Sequence, residues 1–176
     1  QPFDALTLSS LTRILGGMNC APPVRDAVDV ADVVGVVGVL VVEIFVVGED
    51  LFVNEVAPRP HNSGHYSMDA CDVSQFELQV RTLAQLPLVQ PRQHSPAIML
   101  NLLGDLWPEV TPSGKGPTSP AWAQVLALPG THLHLYGKTQ PRRGRKMGHL
   151  TCTAPTLVQA RDVARQAAKS LGLAPW

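Results

Sequence analysis

Glu43 is the only charged residue between Val36 and Val47, and it sits among Val, Leu, Ile and Phe. The run is too short to cross a bilayer and rich in β-branched residues, which predicts a buried strand. A carboxylate in such a strand is costly unless it is paired or holds a metal. Gly48-Glu49-Asp50 then reads as a turn and Leu51-Phe52-Val53 resumes the apolar pattern, which predicts a hairpin. A three-residue loop sets Val47 opposite Leu51 and, counting back, Glu43 opposite Glu55. A two-residue loop sends Glu55 to the other face. Opposed side chains on one face have Cβ atoms roughly 4.5–5.5 Å apart, and like charges there repel. A hard divalent cation relieves both the repulsion and the burial cost, and Mg²⁺ shared with nucleotide phosphate oxygens is the usual occupant. A plainer reading fits the same residues: Glu43 bonded to neighbouring backbone, and Glu55 a solvated strand end.

Behind this hairpin, Arg59, His61, Asn62 and His65 fall within seven residues stiffened by Pro58 and Pro60. Arg presents a planar fork to carboxylate or phosphate, and Asn and His add directional hydrogen bonds. The cluster suits a compact anion such as bicarbonate or phosphate. A zinc pair of His61 and His65 needs helical spacing, which Pro60 and Gly64 oppose. Further on, Lys138 to Lys146 holds five basic residues in nine around a glycine. Such a turn can cradle a phosphate monoester, or it can be an exposed, solvated tip.

The elements that hold these groups follow from periodicity. Leu6 to Leu15 is a candidate short helix, and Val24, Ala27, Val28, Ala31 and Val34 predict a helix closed by Gly35. Ser74-x-x-Glu77 has the form of a capping box, with Phe76, Val80 and Leu83 following at helical spacing. Ala97 to Leu102 reads as a strand closed by Gly104-Asp105. Residues 108–120, rich in Pro, Gly, Ser and Thr, read as a surface connection, and Trp122 to Leu128 as a short helix. His132-Leu133-His134-Leu135-Tyr136 alternates as a half-buried strand does, with Gly148 to Cys152 as its return. A last helix is expected from near Thr153 and Pro155 to Gly172, its alanines packed on a sheet. This order predicts an α+β fold with largely antiparallel strands.

At 176 residues the chain suits one domain or one and a half. Its formal net charge of zero supplies no global field toward nucleic acid or membrane, and its basic residues do not interleave with aromatics. Cys20, Cys71 and Cys152 form no Cys-x-x-Cys pair, so a disulfide framework is not expected and a reducing, cytoplasmic setting is. The first residues lack a basic region followed by an apolar stretch. Gln1 in place of Met suggests a fragment or a processed product.

Taken together, several segments carry a specific likeness. Gly38 to Phe45, then Asn54-Glu55-x-Ala57-Pro58-Arg59-x-His61-Asn62-Ser63-Gly64-His65, then Ser74-Gln75-Phe76-Glu77, closely resemble the N5-carboxyaminoimidazole ribonucleotide synthetases. These are the ATP-grasp ligases of purine biosynthesis, also called the ATPase subunit of phosphoribosylaminoimidazole carboxylase. Asn101-Leu102-Leu103-Gly104, His132 to Lys138 and Gly144 to His149 resemble their C-terminal part.

The resemblance implies the C-terminal half of an ATP-grasp fold, an antiparallel sheet with packed helices, followed by a small β-rich domain. Residues 1–23 stay unassigned, 24–93 form part of the large lobe, and 94–176 form the C-terminal domain with a phosphate-binding hairpin and the final helix. It also implies ATP- and bicarbonate-dependent carboxylation of 5-aminoimidazole ribonucleotide through carboxyphosphate, with Mg²⁺, in a homodimeric enzyme. By family position, Glu43 and Glu55 hold Mg²⁺, and Asn54 and Glu55 serve the nucleotide. Arg59, His61 and Asn62 bind bicarbonate or carboxyphosphate, and Lys138, Arg145 and Lys146 take the 5′-phosphate. The family's N-terminal α/β domain and small ATP-grasp lobe have no counterpart in this sequence, so weak turnover is expected of the chain alone. Two other readings stand beside this one: a non-catalytic ribonucleotide-phosphate binding or assembly module, and another carboxyphosphate-using ATP-grasp ligase.

Overall fold

The computed structural model describes residues 11–12, 35, 37–48, 50–107 and 119–174. The helix expected over Val24 to Val34 lies outside them, as does most of the connection at 108–118. The chain divides into two compact units, residues 1–92 and 93–176. No helix among the described residues is long and apolar enough to cross a membrane.

The first unit carries an antiparallel sheet in the order β1 (Leu11–Thr12), β2 (Val41–Val47), β3 (Asp50–Ala57). Leu11 and Thr12 fall where a helix is expected from Leu6 to Leu15, but they pair with Val42 and Val41. The open backbone edge of β2 takes them as a third strand. In the hairpin, Val47 pairs with Asp50, so the turn has two residues rather than the expected three. Gly48 takes φ +62°, the left-handed conformation that tight hairpin turns demand. Phe45 then faces Phe52 and Ile44 faces Val53, but the next pair is Glu43 with Glu55. Asn54 is the extra residue of a β-bulge, and it offsets the missing turn residue. Beneath the sheet, Val39, Val41, Ala57, Val73 and Leu78 form the core.

Two helices follow, α1 (Ser67–Ala70) and α2 (Gln75–Leu83). Ser74 Oγ accepts the Glu77 N–H at 3.1 Å, the first half of the expected capping box. The second half is replaced, because the Glu77 carboxylate pairs with Arg81 at 2.6 Å one turn on. Phe76, Val80 and Leu83 face outward, while Gln75 and Leu78 are buried. What turns Gln75 inward is its hydrogen bonding to the loop before the helix, taken up below.

The second unit is a sheet in the order β4-β6-β5: β4 (Ala97–Leu103), β5 (Thr131–Leu135) and β6 (Lys146–Thr153), antiparallel throughout. Leu102, Leu150 and Cys152 pack against Val125 of α3 (Trp122–Leu126) and Ala164 and Ala167 of α4 (Leu157–Ser170). The α4 cap is Thr156, whose side chain accepts the Gln159 N–H, so the helix starts later than Thr153 and Pro155 suggest. Thr153 is held in the sheet instead, its N–H donating to Gly130 O at 2.8 Å. At the far end Gly172 (φ +69°) closes the helix, with Leu173 N–H on Ala168 O and Gly172 N–H on Lys169 O, a Schellman motif.

Burial pushes the Cys152 thiol up to about 12. An unfolded thiol ionises near pH 8.5, so the unfolded state loses a proton that the native state keeps, and stability falls as pH rises between the two values. At pH 8 an alkylating reagent is expected to modify half-buried Cys71 well before Cys152, which reacts only as the unit opens. Peptide mapping of the alkylated chain over time measures this order.

A candidate carboxylate–histidine site and a basic turn

The bulge sets Glu43 beside Glu55, and the chain leaving β3 folds back so that His61 meets both. His61 Nδ1 lies 3.3 Å from Glu43 Oε1, and Nε2 lies 3.9 Å from Glu55 Oε2. One ligand atom from each of the three residues lies within 4.8 Å of the others. The side chains of His61 and Glu43 are 11% and 16% exposed against 47% for Glu55, so the cluster opens toward solvent on the Glu55 side. Asn54, the bulged residue, donates from Nδ2 to Glu43 Oε2 at 3.1 Å. Arg59 donates from Nη1 to Pro60 O at 3.1 Å and reaches Glu55 Oε1 only at 3.8 Å, a weak, exposed pairing.

His61 caps a 3₁₀ turn, Asn62–Gly64, with Nδ1 accepting the Ser63 N–H at 3.4 Å. Only a single 3₁₀ turn forms in this loop, with His61 extended before it, so no helix sets His61 and His65 one turn apart. Pro60 precedes the cap and so blocks none of its hydrogen bonds. Asn62 Oδ1 is buried without a hydrogen-bond partner among the described residues. His65 is turned to Gln75 Nε2 at 2.7 Å and against the Phe76 ring, so it does not join His61 in a zinc pair. A cation between the two carboxylates would offset their mutual repulsion. The two carboxylates are the hard oxygen pair that Mg²⁺ takes together with phosphate oxygens.

In the second unit, Lys138 and Arg145 lie on the segment joining β5 to β6, and Lys146 is the first residue of β6. Lys138 Nζ donates to Lys146 O at 2.6 Å and sits 5.4 Å from the centre of the Tyr136 ring. Arg145 Nη1 donates to Gln140 O at 2.8 Å, and its N–H donates to Arg142 O at 2.9 Å. Lys138 and Lys146 are exposed and Arg145 is half-buried. A 3₁₀ turn at the end of β4, Gly104–Leu106, fastens this segment. Gly104 N–H donates to Arg145 O at 2.8 Å, and Asp105 Oδ2 accepts the Gly144 N–H at 2.7 Å. Burial pushes the Tyr136 phenol up, so it stays neutral beside His149 Nδ1, 3.0 Å from its hydroxyl. His149 in turn stacks on His134 with ring centres 4.6 Å apart. Sequence reasoning gave Gly104-Asp105 only as the end of a strand, and it gave Gln75 no role.

Two family models match the chain: the ATP-grasp domain over residues 24–76, and the phosphoribosylaminoimidazole carboxylase C-terminal domain over residues 97–163. The N5-carboxyaminoimidazole ribonucleotide synthase of Synechococcus elongatus is 50% identical over 111 residues, covering 62% of this chain and 27% of the relative. That of Bacillus subtilis is 44% identical over 126 residues, covering 71% and 30%. The crystal structure of the synthetase from Thermotoga maritima superposes with a TM-score of 0.70 at 38% identity, over 82% of this chain and 39% of that one. The synthase from Aspergillus clavatus, solved with ADP and 5-aminoimidazole ribonucleotide, gives 0.66 at 34% identity, over 77% and 35%. The chain thus spans less than a third of the length of these two curated relatives.

Proposed function

Because this chain belongs to the N5-carboxyaminoimidazole ribonucleotide synthetase family, we propose that it carries the metal-, anion- and ribonucleotide-binding part of an ATP-dependent carboxylation. The substrates are ATP, bicarbonate and 5-aminoimidazole ribonucleotide, in the cytoplasm and in a homodimeric assembly. On this reading residues 24–93 serve as part of the large ATP-grasp lobe and 94–176 as the C-terminal domain. The observation that carries it is the convergence of Glu43, Glu55 and His61.

In the proposed reaction a bicarbonate oxygen attacks the γ-phosphorus of ATP, ADP leaves, and carboxyphosphate forms. The exocyclic amine of the ribonucleotide then attacks the carboxyl carbon and phosphate leaves. Glu43 and Glu55 would hold Mg²⁺, which when bound neutralises charge on the phosphates. Asn54 orients Glu43 through its amide and, with Glu55, would serve the nucleotide. The fork of Arg59 grips bicarbonate or carboxyphosphate, and His61 and Asn62 add hydrogen bonds to it. Lys138 and Arg145 each hold a carbonyl of their own segment, which sets them in place, and with Lys146 they take the 5′-phosphate.

Bicarbonate-dependent phosphate release from ATP tests the whole reading. We expect little from the chain alone, and full activity when the rest of an ATP-grasp lobe is supplied. Removing one charge-assisted phosphate contact costs about 1.5–3 kcal/mol, so Arg145→Ala should weaken ribonucleotide binding at least tenfold. Mg-nucleotide binding should not change in that variant. Calorimetric titration of each ligand separates the two effects, and equal losses in both would count against the assignment.

A further inference from the structure

Gln75 opens α2, directly behind a loop, yet it is only 2% exposed. Its Oε1 accepts the His61 N–H at 2.9 Å, and its Nε2 donates to His61 O at 2.8 Å. One carboxamide thus satisfies both backbone groups of one residue, as a neighbouring strand would. The N–H can only donate and the carbonyl can only accept, so these partners fix which end of the amide is oxygen. Nε2 therefore also donates to His65 Nδ1 at 2.7 Å. Gln75 is itself fastened: its N–H donates to Ser67 Oγ at 3.0 Å, and that hydroxyl donates to Gly64 O at 2.6 Å. Room for the amide exists because residue 64 is glycine, where a Cβ would lie 2.6 Å from Gln75 Oε1.

We propose that Gln75 is a positioning residue: it holds the His61 backbone, and so keeps the imidazole against Glu43 and Glu55. The inference rests on reading that cluster as the metal and anion site. His61 sits at φ −120° and ψ 152°, an extended conformation that no regular ladder supports at this point. The two amide bonds lock that peptide, and the capped helix behind them supplies a rigid mount. Arg59 is exposed and held only by the carbonyl of its neighbour Pro60 and a long contact to Glu55. Within the anion cluster, then, His61 is preset and Arg59 adapts.

The test uses the full chain, with Mn²⁺ as the metal probe. Gln75→Met keeps the length of the side chain and removes both bonds. Gly64→Ala leaves Gln75 in place but presses a methyl group on its amide. Each variant is expected to speed hydrogen exchange at the His61 amide and to weaken Mn²⁺ binding, read by electron paramagnetic resonance, by about tenfold. The melting transition of residues 93–176 serves as the internal reference and should not move. Gln75→Glu keeps the acceptor for the His61 N–H and should recover most of its exchange protection. A folded variant with parental exchange and parental Mn²⁺ affinity overturns the proposal. So does unfolding of both Gln75→Met and Gly64→Ala, which would make Gln75 a residue of stability alone. If Mn²⁺ ignores the parent chain, the metal-site reading fails, and the exchange result still decides whether Gln75 holds His61.

Discussion

Glu43→Gln should weaken Mn²⁺ and Mg-nucleotide binding by more than the roughly 10–100-fold typical of losing an outer-shell partner. Glu43 contributes one of two carboxylates from the more buried side of the cluster, so no water-exposed group can replace it. The same change removes one of two opposed like charges, while the new amide keeps an oxygen for Asn54 Nδ2. Thermal stability without metal should therefore hold or rise as binding falls. Loss of binding through misfolding would lower both together. Glu55→Gln should show a smaller loss, since Glu55 is half-exposed and its neighbour Arg59 can shift. Titration of Mn²⁺ and of Mg-ADP against both variants, beside their melting curves, makes the comparison. Unchanged nucleotide binding in Glu55→Gln would end the paired-carboxylate reading.

The largest structural effect is expected from Gly104→Ala. An added Cβ would run into the backbone of Arg142, and neither segment can yield by turning a side chain. Relief requires the basic segment to lift away, which breaks the bond from Gly104 N–H to Arg145 O. Overpacking and the lost hydrogen bond together should cost about 2–4 kcal/mol. Because the segment leading from Lys138 to Lys146 is fastened at this turn, 5′-phosphate binding should suffer more than from replacing any one of its basic residues. Denaturant unfolding followed in residues 93–176, with a phosphate-ester titration, measures both parts. A stable variant that still binds the ester would show that the turn is held by something other than its contact with Gly104.

Much of the framework was legible in the sequence because it rests on local chemistry. The Ser74 cap, the β4 and β6 strands, the buried alanines of α4 and its glycine stop follow from side-chain type and spacing. The direction a helix faces did not follow. Phe76, Val80 and Leu83 make an apolar stripe, but Gln75 took the inward position because two backbone groups of His61 needed partners. Residue type hides such a role, since a glutamine in a first helical turn reads as a solvated one. The facing of Glu43 and Glu55 was reached by counting a turn one residue too long along a strand taken as regular. The structure has a shorter turn and a bulge, and the two differences cancel. The fastening of the basic segment by Gly104 and Asp105 joins residues some forty positions apart, which no local pattern displays.

The cancellation at Asn54 has a mechanical meaning. A hairpin with two turn residues and one bulge contains the same chain as a hairpin with three turn residues and an unbroken ladder. Sliding the tip by one residue exchanges these forms: Val47 moves from Asp50 to Leu51, Phe45 loses Phe52 as its partner, and Asn54 rejoins the ladder. Through all of it Glu43 stays opposite Glu55. The facing of the two carboxylates is therefore common to both arrangements, and the bulge at Asn54 is what lets the shorter turn keep it.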